Sequence, residues 1–364
     1  MIRNDTSQPA VVVIGAGPAG SSVAAACARR GHEVELLDRD RFPRPKVCGC
    51  CLADRGVEAL RRAGLDDLLK SGFSLRTTEI CTRGRRVLLP FHGSIVLSRE
   101  TLDSALVDHA ISMGASFRTR VRASVDERGQ VRATDLDTGE SCLRRPRAVI
   151  VADGLEGRAL GEHPAFGWRI AKNSRVGAGI TLEQEESVED SPEPGLLSML
   201  AGRSGYLGMV RLPDGRLDLA AALDRNHARR EGGPAGMAMR LLLQDGRSSL
   251  AKAIDGLRWR TTPPLSRRRQ VAFQNIACIG DSSGYVEPFT GEGMSWAIGA
   301  ADELAGIVDR ALAGGGSLEK WRGIHRRATS IDRLRCRIIA RAARNPAVAH
   351  ALIRTATHLP LLRE

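Results

Sequence analysis

Gly15, Gly17 and Gly20 fall in the spacing G-x-G-x-x-G, directly after the apolar run Val11–Ile14 and before the alanine-rich segment Ser21–Arg30. That spacing has a phosphate chemistry. One glycine turns the chain sharply, the next lets a pyrophosphate approach the backbone, and the third lets the helix pack closely on the strand. The helix N-terminus, with Ala19 in its first turn, then faces the phosphates. A further strand, Glu33–Leu37, ends at Asp38, 18 residues past the last glycine. An acid at that place can accept both ribose hydroxyls of an adenosine. A glycine-rich turn alone would carry little weight. Strand, fingerprint, helix, strand and terminal acid in this order imply a bound dinucleotide.

A second constellation lies near the other end of the chain. Gly280-Asp281-Ser282-Ser283-Gly284 follows the apolar run NIACIG, and Pro288-Phe289-Thr290-Gly291-Glu292-Gly293-Met294 opens a helix. Asp281, at the carboxyl end of a strand, can accept hydrogen bonds from a ribityl chain or a phosphate-linked sugar. The amides of Gly291–Met294 form an anion site suited to the charge a reduced flavin carries near N1 and O2. Three closely spaced cysteines, Cys48, Cys50 and Cys51, follow the first constellation. Cys48 and Cys51 have C-x-x-C spacing, open to a redox dithiol, but no nearby Cys or His pair completes a metal site. The preferred reading is a tight loop lining the flavin pocket, with Cys48 functional and Cys50 and Cys51 structural. His92, His109 and His163 stand alone and read as surface or capping residues.

These residues need a particular set of elements. Asp54–Lys70 reads as short helices, and Thr77–Ile80, Arg86–Leu89 and Ser94–Leu97 as strands joined by glycine turns. Ser98 offers an N-cap to a helix carrying Leu102, Ala105, Leu106 and His109 on one face. Ala148–Val151 is another buried strand. Val176–Leu182 and Gly205–Leu223 alternate as antiparallel strands, the second a hairpin turned at Pro213-Asp214-Gly215, and one helix, Met237–Leu243, interrupts this region. Gly291–Ala313 reads as one long helix, and Ser317–Leu362 as basic and amphipathic helix. The fold class is α/β. A Rossmann-like dinucleotide domain is assembled from 8–74, 98–165 and 271–316. An antiparallel β-sheet substrate domain comes from 75–97 and 166–270, and a helical C-terminal segment from 317–364.

Composition narrows the function classes. The 364 residues carry a formal charge of +12, which suits an anionic cofactor, an anionic membrane surface or nucleic acid. Aromatic residues at 4%, with no finger spacing, speak against nucleic acid. The uncharged run Thr6–Ala28 has the length of an anchor or signal peptide. Its prolines, its three fingerprint glycines and its βαβ flanks assign it to the fold instead. Eight cysteines without the paired spacing of a secreted framework point to a reducing cytosol.

With these residues in place, the chain resembles the FAD-dependent superfamily of aromatic hydroxylases and geranylgeranyl reductases. GAGPAG with Asp38, Ser98-Arg99-Glu100-Thr101-Leu102-Asp103 and GDSSGYVEPFTGEG carry the resemblance. It implies that Gly15, Gly17 and Gly20 hold the pyrophosphate and Asp38 the adenosine ribose. Arg99 would reach the FAD phosphates or ribityl chain, Asp281 the ribityl chain or pyrophosphate, and Gly291, Glu292, Gly293 and Met294 the isoalloxazine edge. Lys46-Val47-Cys48-Gly49 is similar to a segment of the geranylgeranyl reductases, which brings Lys46 to the cofactor and Cys48 to the reaction. Gly157 stands where the hydroxylases carry serine. The implied protein is an oxidoreductase, with FAD reduced by transiently bound NAD(P)H, acting on an apolar, lipid-like, isoprenoid or polyketide-like substrate by double-bond reduction or hydroxylation. An aromatic monooxygenase is one alternative, and a non-catalytic flavin-binding membrane protein another. The expected location is the cytoplasm, with peripheral contact to anionic membrane through the C-terminal helices.

Overall fold

The computed structural model describes residues 2–3, 8–82, 84–91, 93–183, 189–287 and 292–344. Its centre is a six-stranded sheet in the order Ala272–Phe273, Ile276–Cys278, Ala148–Val151, Val11–Ile14, Val34–Leu37 and Ser116–Arg118. All pairs are parallel except the first. Side chains alternate across the sheet, so the all-apolar run Val11–Ile14 feeds two cores. Val11 and Val13 join the layer of helices Pro18–Ala28 and Ala301–Leu312, flanked by Arg99–Ser112. Val12 and Ile14 pack against a small sheet of Val121–Val125, Val131–Asp135 and Ser141–Arg144. The helix Arg99–Ser112 begins where expected, the Ser98 hydroxyl accepting from Thr101 N at 3.0 Å.

The second layer system is a seven-stranded sheet in the order Arg260–Pro264, Val176–Leu182, Leu217–Leu223, Gly205–Arg211, Leu196–Gly202, Thr77–Thr82 and Arg85–Pro90. It is antiparallel except where Leu196–Gly202 meets Thr77–Thr82. The strand Leu196–Gly202 escaped the sequence reading because its apolar run lacks period-two alternation. One face of this sheet is covered by helices, and the other turns toward the segment carrying the three cysteines. The fold is thus α/β with a Rossmann-like core, an antiparallel sheet and helices toward the C-terminus.

Two expectations need correction. Three helices, not one, interrupt the second sheet: Arg225–Arg230, Pro234–Gln244 and Ser248–Ala253. The first is short and charged but is started by Asp224, whose carboxylate accepts from the amides of Asn226 and His227. The single helix expected over Gly291–Ala313 is two, Gly293–Gly299 and Ala301–Leu312, broken at Ala300 directly after Gly299, a residue that weakens a helix interior. The first lies on the helix Asp54–Arg62 and also on the helix Pro18–Ala28, which carries the second. Of the C-terminal expectation, Lys320–Arg344 is helical, and 345–364 lies outside the described residues.

Candidate functional site

The turn after Val11–Ile14 is built on Gly15, whose φ of +100° and contact with the neighbouring strand end exclude a side chain. A Cβ there would lie 2.4 Å from the Ala152 carbonyl oxygen. Gly17 caps the helix Pro18–Ala28, and the space its missing Cβ leaves faces two guanidiniums, Arg99 Nη2 at 3.7 Å and Arg44 Nη2 at 3.9 Å. Arg99 is held by a fully buried Asp103 through two hydrogen bonds, Nε to Oδ1 at 2.9 Å and Nη2 to Oδ2 at 2.8 Å. Arg44 stacks on Phe42 at 4.6 Å and donates to Asp38 Oδ2 at 3.1 Å. Its Nε and Nη1 are buried without a hydrogen-bond partner, Nη1 lying 3.8 Å from Asp40 Oδ2. Buried guanidinium donors left open beside a side-chain-free helix N-terminus fit a diphosphate.

Asp38 stands at this cluster with its carboxylate engaged. Oδ2 accepts from Ala16 N at 2.7 Å and from Arg44, and Oδ1 accepts from Asp40 N at 2.9 Å. Burial pushes the carboxyl up, while Arg44 and the two amides pull it down. Asp38→Ala is expected to weaken FAD binding by about 1.5–3 kcal/mol, the worth of hydrogen bonds to a charged acceptor. Titrating apoprotein with FAD by fluorescence quenching measures it, and an unchanged Kd counts against a ribose role for Asp38. Lys46 reaches Asp40 Oδ2 at 3.3 Å on the outer side of the cluster. Arg44 was missed in the sequence because residue type could not say which arginine of that basic loop turns inward. Arg39 instead pairs with Glu156 at 2.7 Å, and the exposed Arg41 with Asp137 at 3.2 Å.

The second constellation arrives at the same crevice. Gly280 takes φ +64°, and a Cβ there would meet Ala19 Cβ at 2.7 Å, so the two turns pack directly on each other. Asp281 follows, its carboxyl raised to about 6 by burial, with Arg99 and Arg333 opposing. The position a Gly293 Cβ would take is 3.9 Å from Asp281 Oδ1 and 3.4 Å from the Tyr285 ring. Met294 Sδ meets Cys48 Sγ at 3.7 Å. Glu292 turns elsewhere, toward Cys336 Sγ at 4.0 Å, and Gly291, with Pro288–Thr290, lies outside the described residues. Cys48 Sγ accepts from Cys50 N at 3.4 Å. Hydrogen bonding from Cys50 and the charge of Arg99 draw its thiol down to about 6 against the pull of burial. All eight cysteines are free thiols, Cys51 donating to Gly49 O at 3.0 Å.

The C-terminal helix fixes the Asp281 turn. Trp321, fully buried, donates Nε1–H to Cys278 O at 2.8 Å. Ser283 Oγ donates to Gly280 O at 2.6 Å and accepts from His325 Nε2 at 2.9 Å, while Arg333 donates to Gly284 O at 3.1 Å. Burial and then Arg333 lower His325 to about 3, so it is neutral at pH 7. The unfolded chain takes up this proton near the ordinary histidine value and the folded chain only near 3. Its stabilising contribution is therefore complete above about 6.5 and lost progressively as pH falls toward 3. Thermal scans between pH 7 and 4 are expected to show a steeper fall for the parent protein than for His325→Gln. Parallel curves would exclude this group.

The serine-to-glycine departure at Gly157 has a steric origin. A Cβ there would lie 2.6 Å from the Trp168 ring, on which Arg267 stacks at 4.0 Å and Arg269 at 4.2 Å. Those arginines donate to Leu155 O and Ser282 O, tying together the loops after two adjacent parallel strands.

Fold and site together define a flavoprotein with a Rossmann-like FAD domain. Residues 8–168 match the FAD binding domain family. The menaquinone reductase of Mycolicibacterium smegmatis is 29% identical over 316 residues, covering 79% of this chain and 73% of that protein. Digeranylgeranylglycerophospholipid reductase 2 of Methanopyrus kandleri is 27% identical, covering 82% and 76%. A geranylgeranyl bacteriochlorophyll reductase-like structure from Thermoplasma acidophilum superposes with TM-score 0.74 at 19% identity, covering 92% and 87%. The chain is similar to these reductases over about four-fifths of its length, and it is an FAD-dependent oxidoreductase. The non-catalytic alternative is thereby set aside.

Proposed function

We propose that this protein reduces a carbon–carbon double bond in an apolar, isoprenoid-like lipid, with NAD(P)H as the transient electron donor. The observation that carries the reading is the wall facing Cys48. The side of the antiparallel sheet turned toward the cysteine segment is apolar, with Leu197, Met199, Tyr206, Val210 and Ala222 in one cluster with Cys50 and Cys51. Buried against Cys50 and Cys51, these side chains give the cysteine segment an apolar, water-poor surrounding suited to an alkyl or prenyl group. The reductase relatives span about four-fifths of the chain, which adds weight to reduction over hydroxylation.

When bound, FAD supplies the two-electron chemistry. In this reading Arg44, Arg99 and the amides after Gly17 hold its diphosphate, Asp38 and Asp281 its hydroxyls, and Gly293 and Met294 its ring edge. Cys48, kept anionic beside Arg99, manages a proton at the ring. The decisive experiment mixes anaerobically reduced holoprotein with a geranylgeranylated lipid or a polyprenyl quinone. A product richer by a pair of hydrogens, formed under argon, is the expected result. Incorporation of labelled dioxygen into the lipid would replace it with the monooxygenase reading.

We also propose that the substrate is collected from an anionic membrane surface. Among the described residues no helix is long and apolar enough to cross a membrane. On the C-terminal helix, however, Ile331, Leu334 and Ile338 share one face at 53–63% exposure, beside the exposed Arg327, Arg335 and Arg337. Basic residues at such a surface contribute about 1 kcal/mol each. Removing the helix would be a poor test, because Trp321 belongs to the core. Cosedimentation with phosphatidylserine vesicles is expected to fall in Ile331→Ser/Leu334→Ser without loss of FAD. Equal binding by both proteins, or no binding by the parent, sinks the idea.

A further inference from the structure

The C-terminal helix Lys320–Arg344 has two faces with different tasks. At 3.6 residues per turn, His325, Asp332 and Cys336 make one buried stripe, and Arg327, Ile331, Leu334 and Ile338 make an exposed stripe directly opposite. The buried side grips the flavin site at several points. His325 holds Ser283, and Arg333 beside it holds the Gly284 carbonyl at 3.1 Å. Asp332 pairs with Arg55 at 2.8 Å, and Cys336 Sγ lies 4.0 Å from Glu292 at the start of the helix carrying Met294. The same helix packs on Leu196–Gly202, the strand that brings Leu197 and Met199 to the apolar wall beside Cys48. It therefore bridges the Asp281 turn and that wall.

The exposed side is fitted to one kind of partner. From Lys320 to Arg344 the helix carries nine lysines and arginines and a single acid, Asp332, which faces inward. A second copy of the chain would set like charge against like charge there. Anionic lipid neutralises it and also takes up the three apolar side chains. Among the described residues, the other exposed large apolar side chains are Phe73, Leu88, Ile111, Ile170 and Leu243. They stand on five different elements and form no stripe. An α-helix with its side chains is about 10–12 Å across. The Gly284 carbonyl, held by Arg333 from inside, thus lies about one helix width from the outer stripe.

We infer that the protein lies on an anionic membrane with this helix between the bilayer and the flavin turn, and that an isoprenoid chain passes around the helix to the wall at Leu197 and Met199. The inference rests on the membrane reading above and adds to it an orientation and a route. A chain taking this route leaves the bilayer and meets the apolar wall within about a helix width, so few of its methylenes enter water. The basic outer stripe holds the protein at the lipid headgroups, and the inner stripe keeps the Asp281 turn fixed beneath it. One helix thus sets both the distance of the flavin from the membrane and the side from which the substrate arrives.

The test places the full FAD-loaded chain on phosphatidylserine vesicles containing a long-chain prenol with a diazirine at its chain end. Illumination attaches the probe to the side chains it touches, and peptide mass mapping locates it. Label is expected within Leu196–Gly202 or on the helix carrying Met294. Ile331→Ser/Leu334→Ser should lower that label by at least about tenfold, the loss expected when two apolar side chains leave the membrane. Leu88→Ser, at an exposed apolar residue of another element, should leave it unchanged. Flavin absorbance checks that each variant keeps FAD, which these exposed positions do not touch. A parent that cosediments with the vesicles but carries no label at the wall overturns the route and leaves the membrane reading standing. A parent that does not cosediment overturns both. Equal wall label in the parent and the double variant shows that the chain arrives through water, which also overturns the route.

Discussion

Gly15→Ala is expected to abolish FAD binding and to destabilise the fold by several kcal/mol. The left-handed conformation at φ +100° costs an alanine about 1–2 kcal/mol. The new methyl would also stand 2.4 Å from Ala152 O and 2.9 Å from Asp153 Cα, both backbone atoms of the adjacent strand end. Overpacking of this kind costs typically about 1–3 kcal/mol, and here no flexible side chain can yield. The strands Val11–Ile14 and Ala148–Val151 must separate, which disturbs the anion-facing turn itself. Flavin content per chain and chemical denaturation measure both effects. Gly31→Ala, also at positive φ but with open space around its Cβ, is the control that isolates the backbone cost. Equal flavin content in the two variants would show that the close approach is unimportant.

Asp103→Asn is the second large effect. Asp103 is fully buried and neutralises Arg99 through two hydrogen bonds, with Arg44 Nη2 3.7 Å from the same carboxylate. The amide keeps the shape but removes the charge, taking from buried Arg99 the carboxylate that holds it through two hydrogen bonds. Breaking a buried pair from one side costs about 3–5 kcal/mol. Adding FAD should recover part of this loss, because its diphosphate would offer Arg99 and Arg44 a replacement anion. The comparison is Glu100→Gln, whose partner Arg216 lies at 3.3 Å with both side chains over a fifth exposed. Such a pair contributes at most about 1 kcal/mol. Thermal shifts of both variants with and without FAD decide the matter, and similar losses for the two would refute the role given to Asp103.

The sequence by itself determined the parts governed by local rules. Gly15, Gly17, Gly20 and Asp38 were legible because a tight turn, a close approach and a strand end each demand a residue type at fixed spacing. The Ser98 cap and the turn at Pro213-Asp214-Gly215 were legible for the same reason. The tertiary structure alone decided which like residues converge. Three arginines follow Asp38 within six positions, and only packing on Phe42 and pairing with Asp38 turn Arg44 inward. Asp218 sits in a strand whose alternation was visible, but its partner Thr181 comes from a remote segment. Trp168 made Gly157 necessary from outside its motif. Spacing constrains a residue's own backbone, whereas burial, charge pairing and proton affinity are set by neighbours that the chain order does not reveal.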